Sequence, residues 1–561
     1  MMNGQKTAGR RVPVLIVGGG ITGLSASLFL LQQGIRPLLV EKHCSTSIHP
    51  RARGFDVRTM ELFRELKLDS AIREAGKALS GAWGIHTGST LFTVLKDLPR
   101  REGPAPEHPL QLPGMEELAA LSPVSGARCT QDLAEPVLLA AALDRGGELL
   151  FGMEMVRFCQ DHNGVDVLLR HRQTGAEEDI RADYMIAADG AGSPVRHALG
   201  AVTSGSGPLS QLLNIYFEAD LGDFVRGREF SMLRCDEPGR TGLLTSINNS
   251  NRWVFHLYYD PAAGESPADF PEERILGILQ QLIGLPGLPI RILSVLPWQP
   301  TVTVADAMQH GRIFLAGDAA HVMTPYGGKG AATGIQDVHN LAWKLAAVLR
   351  GQADSALLQT YSAERQPVGL ANALQSGRLA GPRGLPAAEA FPGKSFWNSG
   401  QKTPEQLKTL LKKLAGIERY AYCSAAILDE EKQEDNSDTG ILRPGERAPH
   451  VWVEYFGERI SILDVFGKDF VLLSSDIDAW KPAVAQQKTR NNLPIRAYDI
   501  GPGKTLNDPA DQWRCQTGME AGEALLVRPD GFIAWKGPDL GDHAAQLSAA
   551  LEQIARAAPA A

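Results

Sequence analysis

A continuous apolar run near the start of the chain, residues 12–17, is followed at once by glycine. Its length and its valine content are typical of a central parallel strand. A helix rich in small residues is predicted over residues 24–33, and a second strand over residues 38–40 ends on Glu41. The order of strand, glycine turn, helix and strand predicts a nucleotide-binding βαβ unit.

The glycines between the first strand and the first helix have the spacing GxGxxG: Gly18, Gly20 and Gly23. Gly18 permits a tight turn, Gly20 lets backbone amides approach a pyrophosphate, and Gly23 lets the helix pack close to the strand. The positive end of the helix dipole favours the same phosphates. Glu41 stands about 20 residues further on, where a carboxylate can accept hydrogen bonds from a ribose. We therefore predict a dinucleotide site.

Two later apolar runs, residues 184–188 and 313–316, each end on an acidic residue beside glycine. These acidic residues and their neighbours are Asp189, Gly190, Gly317 and Asp318. A carboxylate at a strand end can bind a polyol such as a ribityl chain. A long helix from about Gly330 follows the second run, and its N-terminus would stabilise negative charge on a reduced flavin. Either acidic pair alone would indicate only a turn.

Alternating apolar and polar positions further along the chain predict antiparallel strands. Residues 155–158 and 165–169 form a predicted hairpin across the Asn-Gly pair at 163–164. Residues 212–219, 253–259 and 293–298 predict additional strands.

A charged stretch over residues 429–438 predicts a solvated linker, and the pattern after it predicts a separate α/β unit. Strands are predicted over residues 461–465, 470–473 and 494–500. A hairpin over residues 525–535 turns at an Asp-Gly pair, and a closing helix runs to about residue 555.

Composition narrows the class of protein. The chain has 561 residues, of which 43% are hydrophobic and 21% are charged, and this length predicts more than one domain. These values exclude a mainly disordered or multi-span membrane protein. A net charge of −8 offers no broad basic face, so nucleic acid is not an expected partner.

The six cysteines lie far apart and form no CxxC pair. This excludes a disulfide framework and a zinc site, and it predicts a reducing, cytoplasmic location. The sequence shows no metal-ligand cluster and no Ser-His-Asp arrangement, so we expect a cofactor to carry the chemistry.

Taken together, these motifs resemble the class A, single-component FAD monooxygenases, which include para-hydroxybenzoate hydroxylase and phenol hydroxylase. Four further segments resemble the branch of aromatic polyketide hydroxylases such as aklavinone 11-hydroxylase: HPRA at 49–52, RTMEL at 58–62, QDLAE at 131–135 and NLAWKL at 340–345. Two positions depart from the family pattern. Thr324 precedes Pro325 where the family usually has two prolines, and Ala332 stands where the family often has asparagine.

The resemblance implies an α/β fold with three parts. They are a Rossmann-like FAD-binding domain of the para-hydroxybenzoate hydroxylase type, a mixed β-sheet substrate domain, and a C-terminal thioredoxin-like domain. The predicted boundaries are 1–190 and 300–400 for the FAD-binding domain, 80–115 and 191–299 for the substrate domain, 401–439 for a helical segment and linker, and 440–561 for the thioredoxin-like domain.

The resemblance also implies which residues form the site. The predicted FAD contacts are Gly18, Gly20, Gly23, Glu41, Lys42, Arg51, Gln131, Asp189, Gly190, Gly317, Asp318, Pro325, Gly328, Gly330, Ala331 and Ala332. Arg51 and Pro325 are also candidates for a catalytic role. The sequence does not identify a catalytic base for deprotonation of the substrate. The candidate walls of the substrate pocket are Trp83, Tyr216, Phe230, Met232, Phe255, Tyr258 and Trp298. For any one of these side chains, a place in the core of the sheet is the alternative.

The implied activity is hydroxylation of a phenolic or polycyclic aromatic natural-product intermediate by a flavin C4a-hydroperoxide, with FAD bound and O2 consumed. Because the chain has one dinucleotide fingerprint, NADPH or NADH is expected to bind only transiently. Baeyer–Villiger or epoxidation chemistry, or inactivation of a drug, is the nearest alternative. A flavin-bearing sequestration protein without turnover is an alternative of another class, and a flavin reductase acting on an alkene is a third. A homodimer or a higher homo-oligomer is among the expected states, and the sequence does not determine which oligomeric state the chain adopts.

Overall fold

The computed structural model describes residues 10–82, 84–103, 119–386, 416, 420–429, 441–490 and 493–557. Trp83 and nearly all of the predicted segment 401–439 therefore lie outside the described residues, apart from 416 and 420–429.

The described strands, in chain order, are β1 (Arg10–Val17), β2 (Leu38–Glu41), β3 (Ile85–Thr87), β4 (Glu148–Phe151), β5 (Met153–Asp161), β6 (Gly164–His171), β7 (Glu177–Ala187), β8 (Thr203–Pro208), β9 (Leu212–Glu218), β10 (Met232–Cys235), β11 (Gly242–Ser246), β12 (Arg252–Tyr258), β13 (Arg291–Trp298), β14 (Thr301–Ala305), β15 (Gln309–His310), β16 (Ile313–Leu315), β17 (His321–Val322), β18 (Trp452–Tyr455), β19 (Glu458–Ser461), β20 (Phe470–Ser474), β21 (Ile495–Gly501), β22 (Leu506–Asn507), β23 (Ala524–Val527) and β24 (Ile533–Gly537).

The described helices are α1 (Ile21–Gln32), α2 (Val57–Glu65), α3 (Asp69–Ala75), α4 (Leu91–Lys96), α5 (Gln131–Asp144), α6 (Pro194–Ala198), α7 (Gly222–Val225), α8 (Glu272–Ile283), α9 (Gly330–Leu349), α10 (Gln359–Arg378), α11 (Ile477–Arg490), α12 (Gln512–Thr517) and α13 (His543–Arg556). In this part of the chain, no helix is both long enough and apolar enough to cross a membrane.

The first sheet has the strand order β15-β16-β7-β1-β2-β4, with the β5–β6 hairpin beside β7. β1 is parallel to both β2 and β7, and β16 is parallel to β7. The predicted strands at 12–17, 38–40, 184–188 and 313–316 are thus confirmed as neighbours. Because parallel strands end at the same edge, the glycine and acidic residues that follow β1, β7 and β16 come together there.

The second sheet has the order β13-β9-β12-β11-β10-β3. One of its faces packs against α8 and α4 through an apolar core that includes Phe217, Trp253, Phe255, Leu279 and Leu282. Side chains alternate between the faces of a strand, so every second residue of β9 and β12 points the other way. That opposite face lines a cavity together with the glycine-containing loops that follow β1, β7 and β16.

The C-terminal unit is built on a sheet with the order β19-β18-β22-β21-β20-β23-β24, and α11 packs against α13. This is the predicted thioredoxin-like part of the fold. The prediction of a strand over residues 461–465 is wrong, because β19 ends at Ser461 and a 3-10 helix follows over Ile462–Val465. Ser461 and Asp464 form a capping box, which satisfies the backbone amides of a helical turn rather than those of a strand.

A fully buried cluster of charged side chains joins the C-terminal unit to the two long helices α9 and α10. Arg528 donates to both carboxylate oxygens of Glu364, at 2.7 and 2.8 Å, and Lys344 donates to the same carboxylate at 2.8 Å. Burial alone would raise the pKa of Glu364, but Arg528 and Lys344 hold it well below its usual value. Lys344 and Asn340 belong to the NLAWKL segment, which therefore contacts the C-terminal unit.

Candidate active site

A cavity of about 2520 Å³ is lined both by the loops at the edge of the first sheet and by one face of the second sheet. Small-molecule pockets commonly enclose about 300–1,000 Å³. The cavity is therefore large enough for a dinucleotide cofactor together with a second ligand.

The glycine turn after β1 is shaped by close backbone approach. A Cβ atom on Gly18, where φ is +112°, would lie 2.2 Å from the carbonyl oxygen of Ala188. A Cβ atom on Gly23 would lie 1.9 Å from the carbonyl oxygen of Gly18. Gly20 is the N-cap residue of α1 and, having no side chain, makes no cap hydrogen bond. Gly18 and Gly20 line the cavity, whereas Gly23 packs beneath them.

Glu41 is held at the edge of the cavity by two backbone amides. Its Oε2 accepts a hydrogen bond from Gly19 N at 2.6 Å, and its Oε1 accepts one from His43 N at 2.8 Å. A carboxylate has about four acceptor sites, so both oxygens can still receive ribose hydroxyl groups. Lys42 also lines the cavity.

The loop that carries Arg51 is tied to α5. Gln131 N donates to Ala52 O at 2.8 Å, and Gln131 Nε2 donates to Glu135 Oε1 at 2.6 Å. Glu135 also accepts from Ser47 N at 2.9 Å, and burial raises the pKa of Glu135. These bonds leave the Arg51 side chain exposed within the cavity.

Asp189 uses its carboxylate to build the turn before α6. Ser193 Oγ donates to Oδ1 at 2.6 Å, and Val195 N donates to Oδ2 at 3.1 Å. Burial raises the pKa of Asp189. Asp189 and Gly190 line the cavity, so their contact with a dinucleotide stays a prediction that this geometry permits.

The Asp318 side chain is exposed within the cavity. The protein atoms around the cavity partly desolvate its carboxylate and so raise the pKa of Asp318, while the nearby charges of His321, Arg51 and Arg196 act in the opposite direction. Arg196 holds the loop by donating to Ala319 O at 2.9 Å. Asp318 is therefore available to a ligand, whereas Gly317 lies buried behind it.

The histidine of the same loop orders the backbone. His321 Nε2 bonds to Asp337 Oδ2 at 2.6 Å, and both side chains are completely buried. Asp337 also accepts from Gly317 N at 3.2 Å and from Arg365 Nε at 2.9 Å. His321 thus connects the loop to α9 and does not face the cavity.

The start of α9 also meets the cavity. Pro325, Gly328, Gly330 and Ala331 line it, whereas Ala332 is buried in the next position. Thr324, which departs from the family pattern, donates its hydroxyl to Ser376 O at 2.8 Å and so fastens this turn to α10.

The inner face of the second sheet forms the other wall of the cavity. Two predicted pocket residues, Met232 and Trp298, line it. Sequence reasoning missed the remaining side chains of this wall: Asn214, Leu243, Thr245, His256, Leu296 and Pro297. It also missed Arg53, whose guanidinium lies at the edge of the sheet and donates to Ser231 Oγ at 3.1 Å.

The other predicted pocket aromatics lie elsewhere. Phe230 and Phe255 are fully buried in the core that packs on α8. Tyr216 lines a separate cavity of about 480 Å³, and Tyr258 packs in an apolar cluster with Leu385. Phe255 and the cavity-facing His256 are consecutive in β12, so the prediction placed the wrong member of the pair in the pocket. Trp83 lies outside the described residues.

The residues at the first-sheet edge fit FAD. The N-terminus of α1, which begins after the glycine N-cap Gly20, suits a pyrophosphate, and the N-terminus of α9 suits the electron-rich edge of a flavin. Asp318 and Arg51 line the same cavity as these two helix ends. In the described residues, no cluster of His, Cys, Asp or Glu could hold a metal ion.

Comparisons with known proteins agree with this geometry. A family model described as FAD binding domain matches residues 11–376, and one described as aromatic-ring hydroxylase, C-terminal, matches residues 442–558.

Similar proteins share nearly the full length of the chain. Tetracenomycin A2 monooxygenase-dioxygenase of Streptomyces glaucescens is 38% identical over 563 residues, which cover 97% of this chain and 96% of that protein. A 4-methyl-5-nitrocatechol 5-monooxygenase of a Burkholderia species is 35% identical and covers 97% of each chain. Aklavinone-11 hydroxylase, solved with FAD and aklavinone, is 30% identical with a TM-score of 0.80, covering 99% of this chain and 100% of that chain.

Proposed function

This chain belongs to the family of FAD-binding aromatic-ring hydroxylases, and from this premise we propose that it hydroxylates a phenolic or polycyclic aromatic compound with NADH or NADPH and O2. It is an FAD-dependent monooxygenase of the aromatic polyketide hydroxylase type. The single observation that carries the proposal is the shared cavity, in which nucleotide-binding loops face a largely apolar sheet.

The protein's own residues would bind and orient the two ligands. The glycine turn and the N-terminus of α1 would hold the pyrophosphate, and Asp318 and Arg51 would contact the chain between pyrophosphate and flavin. The N-terminus of α9 would stabilise negative charge on the flavin ring. Bound FAD would supply the activation of molecular oxygen.

The sheet face would position the substrate. Its apolar side chains, including Met232, Leu243 and Trp298, would pack against an aromatic ring and keep water away from it. Holding the reacting atoms within about 3–3.5 Å of each other contributes to the rate by orientation. No protein nucleophile is required for this chemistry.

The test combines cofactor analysis with product analysis. We expect the purified protein to contain or bind FAD and to oxidise NADPH or NADH faster when aklavinone or 1-naphthol is added. Under labelled O2, the product should carry one labelled oxygen for each NAD(P)H consumed. Protein that binds no FAD would contradict the proposal, and NAD(P)H consumption that yields only hydrogen peroxide would favour the sequestration alternative.

A second candidate is the incorporation of more than one oxygen atom. The relative from Streptomyces glaucescens is named a monooxygenase-dioxygenase. The same labelling experiment distinguishes the two, because a product with two or more labelled oxygens would favour this second candidate. The structure of the product separates hydroxylation from Baeyer–Villiger or epoxide chemistry. A cytoplasmic location and the oligomeric state stay predictions.

A further inference from the structure

One polar pair lies in the middle of the apolar cavity face of the second sheet. His256 on β12 and Asn214 on β9 are direct cross-strand partners, and both line the cavity. Their neighbours on this face are mostly apolar: Met232, Leu243, Leu296, Pro297 and Trp298. Removing a polar atom from water costs free energy unless it is hydrogen-bonded. A polar atom of this pair that has no partner in the protein would therefore be stabilised by a hydrogen bond to a ligand in the cavity.

Asn214 determines which nitrogen of His256 carries the proton. The Oδ1 atom of Asn214 lies 2.6 Å from His256 Nδ1. Because an amide oxygen only accepts hydrogen bonds, Nδ1 must be the protonated nitrogen, and Nε2 then has a free lone pair. Nε2 forms no hydrogen bond with another described residue, so the pair presents an acceptor to the cavity.

The surroundings keep His256 neutral. Burial lowers the pKa of His256 to about 3, with smaller contributions from the neighbouring His49 and Arg53. His49 is buried beside the Tyr216 ring, and Arg53 is held by Ser231 and the carbonyl oxygen of Ser246. On the sheet itself, Asn214 and the side chains of Leu243 and Trp298 are uncharged. His256 therefore remains a hydrogen-bond acceptor at neutral pH.

We propose that His256 Nε2 accepts a hydrogen bond from a hydroxyl group on the aromatic substrate, and that Asn214 is the positioning residue that keeps Nε2 unprotonated. This inference rests on the proposed function and deepens it. An acceptor that draws the hydroxyl proton toward itself increases electron density at the ring carbons ortho and para to that hydroxyl. Those carbons are the ones that an electrophilic oxygen attacks. The substrate class is thus a ring with a free phenolic hydroxyl.

The test measures whether the protein distinguishes a phenol from its methyl ether. Isothermal titration calorimetry with the FAD-bound protein would give the Kd for 1-naphthol and for 1-methoxynaphthalene. We expect the wild type to prefer 1-naphthol by about 3- to 10-fold more than His256→Phe does, which corresponds to one uncharged hydrogen bond. His256→Gln retains an acceptor and should recover part of the preference.

Asn214→Leu provides the test of positioning. Without the amide oxygen the imidazole proton can move to Nε2, which would then donate to an ether oxygen. We expect this variant to lose the preference for the phenol and to bind 1-methoxynaphthalene no more weakly than the wild type does. His86→Phe is the matched control, because His86 belongs to the same sheet but lies outside the cavity wall. It should keep the wild-type preference.

Two results would overturn the assignment, provided that each variant keeps its FAD absorbance and its circular dichroism spectrum. One is an unchanged phenol preference in His256→Phe, and the other is an equal loss in His86→Phe. Failure of the wild type to bind 1-naphthol or aklavinone at all would instead overturn the proposed function and, with it, this inference.

Discussion

The glycine-rich loops of the first sheet and the inner face of the second sheet line one cavity, but they constrain their residues in different ways. On the loop side the backbone is the constraint, since a Cβ atom on Gly18 would lie 2.2 Å from a carbonyl oxygen. On the sheet side the deciding factor is the face of the strand on which a residue lies. Phe255 faces the core against α8, whereas His256, the next residue, faces the cavity.

This difference explains why the sequence predicted the cavity residues of the loops better than those of the sheet. A steric requirement for glycine leaves a fixed spacing in a few consecutive residues. The face of a strand leaves no such mark, because moving the register by one residue exchanges every side chain between the two faces. Four experiments would break or sharpen this comparison.

The largest expected effect is that of Gly23→Ala. A Cβ atom at this position would lie 1.9 Å from the backbone oxygen of Gly18, so the turn or the helix would have to shift. We expect a loss of stability of more than about 5 kcal/mol, measured by urea unfolding, together with loss of FAD. Gly277→Ala is the matched control, because Gly277 also lies inside a helix but has open space around its Cβ. It should be neutral or stabilise the protein by about 0.5–1 kcal/mol. Equal effects of both variants would refute the steric interpretation of the motif.

The next effect compares adjacent residues of β12. Phe255→Ala removes a completely buried ring from the core, and we expect a loss of about 3–5 kcal/mol in the free energy of unfolding. His256→Ala should cost about 1 kcal/mol and should instead weaken the binding of 1-naphthol. Denaturant unfolding and calorimetry on the same two variants check this contrast. A stability loss for His256→Ala as large as that for Phe255→Ala would contradict the assignment of faces.

Asp318→Ala addresses the cofactor directly. We expect the Kd for FAD to rise about 10- to 100-fold, because hydrogen bonds to a charged group contribute about 1.5–3 kcal/mol. Titration of the FAD-free protein with FAD, followed by flavin fluorescence, measures this change. The exposed Asp306, which contacts Ser204 near β14, provides the control substitution Asp306→Ala. Unchanged FAD affinity in Asp318→Ala would remove this residue from the proposed site.

The smallest effect concerns pH. Burial lowers the pKa of His256 to about 3 in the folded protein, whereas an unfolded histidine titrates near about 6.5. Below that pH the unfolded chain binds a proton that the folded protein does not bind. The stabilisation from neutral His256 is therefore present above pH about 6.5 and is lost as the pH falls.

The measurement compares wild type with His256→Gln between pH about 7.5 and 5.5. We expect the wild type to lose about 1 kcal/mol more stability than the variant over this interval. Parallel loss in both proteins would show that His256 does not remain neutral in the folded state.

Much of the fold could be predicted from local sequence. The strands around Gly18, Asp189 and Gly317 were confirmed, because apolar runs of this length are typical of buried parallel strands. The wrong prediction of a strand over residues 461–465 has a local cause as well, since a capping box formed by Ser461 and Asp464 begins a helical turn within this apolar run. The roles assigned to Glu41, Arg51, Gln131 and Asp318 stay predictions, although the structure brings all four residues to one cavity.

The sequence by itself determined the nucleotide-binding unit and the buried strands around it, because these depend on the steric and hydrogen-bonding needs of neighbouring residues. It indicated the class of chemistry through the resemblance of its motifs to a known family. Only the tertiary structure decided which face of β12 lines the cavity. It also decided that Arg528 reaches Glu364 across 164 residues of chain. The physical reason is the same in both cases. Burial and pairing depend on what packs against a side chain, and elements distant in the sequence provide that partner.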